Sequence, residues 1–129
     1  MPAGHAISAL EWELLAYFEA EPDVRHPDLD WPYNSYVYRT QVDDLDVSFS
    51  VAPAYKDFTL TVRRRGAKHI EFTALDLVDI IYHAEGGEWL ELMLSESLSF
   101  ELRLRPVFSF VGRRRPQAQP PAAVDRPRR

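Results

Sequence analysis

The sequence predicts an α+β fold, with an N-terminal helix packed on a largely antiparallel meander sheet of about six to eight strands. Three observations lead there. Apolar residues recur at helical spacing near the start, the pattern from Tyr36 to Val111 alternates with a period of two, and consecutive hairpins leave no room for long crossover helices.

Ser8-Ala-Leu-Glu11 fits a capping box, with the serine hydroxyl accepting a backbone N–H and Glu11 reaching back to the cap. Ile7, Leu10, Leu14, Tyr17 and Phe18 then follow helical spacing, which predicts a helix from about Ala9 to Ala20, ended by Pro22. Trp12 and Leu15 are expected to widen its apolar face. Glu21 to Asn34 carries three Pro and four Asp or Glu without periodicity and reads as a surface connection.

Tyr36 to Val42 reads as the first strand and Asp43-Asp44 as a turn. Leu45, Val47, Phe49 and Val51 then share one face against Asp46, Ser48 and Ser50 on the other. Ala52 to Asp57 turns the chain, Phe58, Leu60 and Val62 point inward, and Gly66 closes a hairpin to His69 through Thr73. Near the end, Leu90, Leu92 and Leu94 form one alternating run and Leu98, Phe100, Leu102 and Leu104 another, with Ser95-Glu96-Ser97 as the turn. Val107 to Val111 reads as a final strand after Pro106, which cannot donate to a ladder.

Asp76 to Glu85 fits two descriptions. As a helix it has Asp76 at the cap and Gly86 as a left-handed terminator; as a strand it sets Val78, Ile80 and Tyr82 on one face, with Gly86-Gly87 turning into Trp89. Its shortness and β-branched content favour the strand.

Composition bounds the rest. The chain has 129 residues, 46% of them hydrophobic and 12% aromatic, enough for one ordinary core and too few for a second domain. Cysteine is absent, which excludes disulfides, thiolate zinc sites and a cysteine nucleophile. The first ten residues lack a secretory pattern and no apolar run approaches a membrane span, so a cytoplasmic, unprocessed bacterial protein with no membrane association is expected.

Charge divides the chain at Gly112. Residues 113–129 hold six Arg and one Asp, whereas residues 1–112 hold nine Lys/Arg against 19 Asp/Glu. The expected organisation is therefore a single acidic domain over 1–112 and a disordered, Pro/Arg-rich basic tail over 113–129, with net charges of −10 and +5.

No catalytic signature is present. With five Gly in the whole chain, neither a dinucleotide fingerprint nor a phosphate loop is formed, and no Ser sits in a nucleophile elbow. No cofactor is expected. The only metal candidates are weak: His69 and Glu71, which alternate across Ile70, and Asp79 and His83, which would lie one turn apart if helical. Asp43, Asp44 and Asp46 are better read as turn formers.

Two groups are candidates for binding. Trp31, Tyr33, Tyr36 and Tyr38 concentrate rigid amphipathic rings before and within the first strand, and Arg63, Arg64 and Arg65 make a basic hairpin tip. The tail can contact nucleic acid through charge, but it lacks interleaved aromatics for base stacking.

These readings converge on a non-catalytic protein-protein interaction domain with a protein partner, of the type of an acidic inhibitor or immunity protein that neutralises a basic partner. The alternative is a small enzyme or ligand-binding module with its site near Tyr36, His69, Asp79 and His83. Oligomeric state is not legible in the sequence.

Overall fold

The alternation that begins at Tyr36 builds two antiparallel sheets rather than one. A computed structural model of the chain describes residues 7–114. The first sheet runs in sequence order through β1 (Asp23–Val24), β2 (Tyr36–Val42), β3 (Leu45–Ala52), β4 (Asp57–Arg64) and β5 (Ala67–Ala74). The second runs through β6 (Asp79–His83), β7 (Trp89–Met93), β8 (Leu98–Arg103) and β9 (Ser109–Arg114). With one helix, α1 (Glu11–Phe18), the fold is α+β and mostly sheet meander.

The break between the sheets is set by hydrogen bonds from Asp76 and Leu77 back to the β3–β4 connection and the start of β4. After β5 the chain turns at Asp76, whose φ is 59°, and its N–H donates to Asp57 Oδ1 at 3.0 Å. Leu77 donates to the Lys56 carbonyl at 2.8 Å and buries its side chain. The chain thereby leaves the edge of β5, and β6 pairs forward with β7. Asp76 to Glu85 thus contains a strand, which β-branched residues at the ladder favour.

The inner faces of both sheets share one core. Tyr38, Phe49, Phe58 and Leu60 come from the first, and Ile80, Leu90, Leu92 and Leu102 from the second. Phe72 closes one side by touching Phe100 and Phe110, ring centroids 4.9 and 5.5 Å away. The helix closes the other. Phe18 stacks on Tyr38 and Phe49 at 5.0 and 5.2 Å, while Tyr17 lies edge-on to Tyr82 and its hydroxyl donates to the Leu102 carbonyl at 2.6 Å.

Several local expectations are revised. The helix is shorter than 9–20, because Leu10 is its N-cap and Glu19 ends it in a left-handed conformation. Ser8 does not cap: Glu13, not Glu11, accepts the Leu10 N–H at 2.9 Å, and Ser8 instead binds Asp79. Only the face of Leu14, Tyr17 and Phe18 meets the sheets, so Trp12 and Leu15 point to solvent. The connection Glu21 to Asn34 contains the two-residue strand β1. It is held by buried Asn34, whose Oδ1 accepts the His26 and Ser35 N–H groups at 2.8 and 2.9 Å.

The end of the sheet also differs from the charge boundary. β9 pairs Phe100 with Gly112, Ser99 with Arg113 and Leu98 with Arg114, so the first two arginines of the basic run belong to the sheet. The expected disordered tail beyond them, 115–129, lies outside the described residues.

Candidate protein-interaction site

The residues singled out for metal binding do not converge. His69 sits at the bulge in β5, where the partners of Val62 and Arg63 are Ile70 and Lys68, and Glu71 is bound by Lys68 Nζ at 2.8 Å, which holds its carboxyl below the usual value. Asp79 and His83 lie at opposite ends of β6, about 13 Å apart at the rise of a strand. Among the described residues, no group of three or more His, Asp or Glu is placed to hold a metal ion. Tyr36 faces the core in register with Val51, near the β3–β4 turn, whereas His69 lies by the β4–β5 turn at the other end of the first sheet. The four residues proposed to line a ligand cleft are therefore dispersed.

The aromatic group divides similarly. Tyr36 and Tyr38 are buried, Trp31 packs on Tyr36 at 4.9 Å, and Tyr33 alone stands out at 58% exposure. Burial raises the phenol pKa of Tyr36 and, much further, of Tyr38. Arg63, Arg64 and Arg65 form the β4–β5 hairpin tip, with Arg65 in the left-handed region beside Gly66. Two of them have acidic neighbours on the adjoining hairpin: Arg63 is opposite Asp46 in register, and Arg64 Nε lies 3.1 Å from Asp44 Oδ2.

One polar arrangement on the second sheet escaped the sequence. Glu91 and Glu101 sit directly opposite each other across β7 and β8 on its outer face, each only 9% exposed. His83 Nε2 lies 2.9 Å from Glu91, whereas Arg103 and Arg113 bind Glu101. Trp89 stacks on His83 at 4.0 Å, and the Arg103 guanidinium lies over its ring. The carboxylates are thus covered by side chains of this chain, and the arrangement braces the sheet.

An open surface lies instead at α1 and β1. Trp12 is 63% exposed, and Leu10, Leu15 and Val24 on these elements are exposed as well. Residues 11–30 carry seven Asp or Glu and one Arg. Glu13 is engaged at the helix start, Glu19 with Arg105 and Asp23 with Arg39, whereas Glu11 and Glu21 have no ion pair among the described residues. Large apolar groups rimmed by like charge are typical of a protein-binding surface.

Between α1 and β1 this surface dips into a pocket of about 130 Å³ lined by Glu11, Leu15, Glu21, Pro22, Val24 and Tyr38. Tyr38 is fully buried, and its Oη is a buried side-chain polar atom without a hydrogen-bond partner among the described residues. An unmet buried hydroxyl costs about 1–3 kcal/mol. The charges of Glu11 and Glu21 add to the rise in its pKa that burial begins.

The fold has a counterpart. A solved "Contact-dependent growth inhibition toxin - immunity protein complex from Klebsiella pneumoniae 342" contains a chain similar to this one, with a TM-score of 0.65 and 21% identity over 80% of this chain and 91% of that chain. The likeness is one of fold. No family model and no curated protein matches the sequence.

The α1–β1 face offers exposed apolar groups, two carboxylates without ion pairs among the described residues and one buried hydroxyl. The charge count over 11–30 was readable in the sequence. The pocket was not, because the two-residue strand that supplies Val24 carries no periodic signal.

Proposed function

We propose that this chain is an immunity-type protein that binds a basic protein toxin and blocks it by contact rather than by catalysis. The observation that carries the reading is the combination of the fold similarity to a chain of a toxin–immunity complex with an acidic, apolar-centred face at α1 and β1. Residues 7–114 hold 11 Lys/Arg against 19 Asp/Glu, a net charge of −8 that steers a cationic partner and speeds encounter. Trp12 supplies a central anchor, the residue type most enriched where binding energy concentrates. The cytoplasm is where such a partner would be met.

The test is capture followed by rescue. The full chain, immobilised at low salt, retains a basic protein from its native host and releases it as salt is raised. Expression of that protein alone stops bacterial growth, and co-expression of this chain restores it. A captured partner whose expression is harmless, or whose toxicity persists in the presence of this chain, overturns the proposal.

A further inference from the structure

We propose that the pocket between α1 and β1 receives one lysine side chain of the protein partner, its ammonium held by Tyr38 Oη, Glu11 and Glu21 and its aliphatic stem packed on Leu15, Pro22 and Val24. The inference deepens the reading of a basic partner and rests on it for the source of the lysine.

Two independent features carry it. The first is the buried hydroxyl of Tyr38, which has no partner among the described residues although the rest of the Tyr38 ring is locked against Phe18 and Tyr36. Buried hydroxyls are almost always satisfied, so one left open beside a surface pocket marks a place for a donor from outside. The second is the lining. Leu15, Pro22 and Val24 provide an apolar wall, and Glu11 and Glu21 provide two carboxylates with no ion pair among the described residues. Their fields reach the phenol oxygen, since both raise its pKa behind burial itself.

The chemistry selects lysine among cations. An ammonium is compact and carries three donors, matching one phenol oxygen and two carboxylates, while the four-carbon stem buries along apolar walls and leaves the charge at its tip. A guanidinium presents a flat fork suited to bidentate pairing with one carboxylate, and its width is poorly matched to a pocket of about 130 Å³. An uncharged chain would leave both carboxylates unneutralised.

The test uses the full-length, isotope-labelled chain and a defined probe, Nα-acetyl-lysine N-methylamide, titrated at constant ionic strength and followed by amide chemical shifts. The expected result is a saturable shift confined to the amides of Glu11, Leu15, Glu21, Val24 and Tyr38. The norleucine analogue, isosteric along the stem but uncharged, produces none. Tyr38→Phe and Glu21→Gln each weaken binding at least about fivefold, the size expected for one charge-assisted hydrogen bond. Glu21 is exposed, so E21Q keeps the test decisive if Y38F loses native dispersion.

The absence of saturable shifts, shifts spread over all acidic surfaces, or equal response to norleucine each overturns the proposal. The two readings fail separately. Successful capture and growth rescue with a silent titration removes only the lysine pocket, whereas a localised titration with failed rescue removes only the toxin-inhibitor role.

Discussion

Ser8 gives both of its donors to Asp79. Its backbone N–H lies 2.7 Å from Oδ1 and its hydroxyl 2.5 Å from Oδ2, so one carboxylate ties the segment before α1 to the first strand of the second sheet. Asp79 Oδ1 also accepts the Ile80 N–H at 2.8 Å, and Ala9 donates to the Ile80 carbonyl at 2.8 Å. The helix is therefore anchored by hydrogen bonds before its apolar face is counted.

Replacing Asp79 by Ala removes the acceptor for three donors and is expected to lower stability by about 2 kcal/mol. Asp79→Asn keeps one carbonyl oxygen and costs about half as much. Urea unfolding followed by circular dichroism measures both. A fall in midpoint at constant slope is the expected signature, and no fall in D79A removes the anchoring role.

Gly112 sits where the sequence changes character because an aromatic ring needs the space. Directly opposite it in the ladder is Phe100, and a Cβ at Gly112 would lie 3.0 Å from Phe100 Cε2 and 3.2 Å from Cζ. That ring cannot retreat easily, since it stacks on Phe110 at 4.8 Å and touches Phe72. Gly112→Val is expected to destabilise by about 2 kcal/mol through overpacking. Adding Phe100→Leu relieves the clash, so the double variant loses less than the sum of the singles. Strict additivity in thermal unfolding removes the steric explanation.

The legibility of the fold follows from where each element gets its stability. β3 and β4 were readable because each buries alternate apolar residues, and burial is written into the local pattern. β7 and β8 were readable from alternating residue types alone, since Glu91, Ser99 and Glu101 are buried as well. The division into two sheets was not. It depends on Leu77 and Asp76 bonding to Lys56 and Asp57, some twenty residues earlier, and nothing near Leu77 advertises that contact. Ser8 misled for the same reason. Its spacing to Glu11 is that of a cap, but the Asp79 carboxylate brought by the fold competes for the same hydroxyl. At the candidate site, the acidity of 11–30 was plain, whereas Tyr38 stood out only as one of four clustered aromatic rings. Its ring fills the core and its hydroxyl is buried without a hydrogen-bond partner among the described residues, and neither property is written in the local pattern.

Alkaline pH should unfold the protein through its tyrosines. The Tyr82 hydroxyl donates to Glu88 Oε2 at 2.5 Å, and ionising it would set two anions together, so that bond, followed by burial, pushes its pKa from 10.0 up to about 12. Tyr17 and Tyr38 are raised further, chiefly by burial. A group whose pKa is raised in the folded state contributes its stability fully below the unfolded value and loses it as pH rises towards the folded value. Stability attributable to Tyr82 is therefore intact below pH about 10 and declines between about 10 and 12. Denaturant midpoints across this range are expected to fall less steeply in Tyr82→Phe than in the native chain. Identical slopes would show that the Tyr82–Glu88 bond does not set the alkaline limit.

Trp12 separates binding from folding. It projects from α1 on the side away from Leu14, Tyr17 and Phe18, and at 63% exposure it adds little to the core. Trp12→Ala should leave the unfolding midpoint within about 0.5 kcal/mol of the native chain, as substitutions of surface residues usually do. Its effect on association should be much larger. A tryptophan that anchors an interface costs about 2 kcal/mol or more when truncated, equivalent to at least a thirtyfold loss of affinity. Titration calorimetry with the captured basic partner measures this directly, and salt dependence separates the contributions. Trp12→Ala should speed dissociation at any ionic strength, whereas Glu11→Gln, which removes a carboxylate of the proposed lysine pocket, should also slow association at low ionic strength. A Trp12→Ala variant that binds as tightly as the native chain would move the interface away from the α1–β1 face.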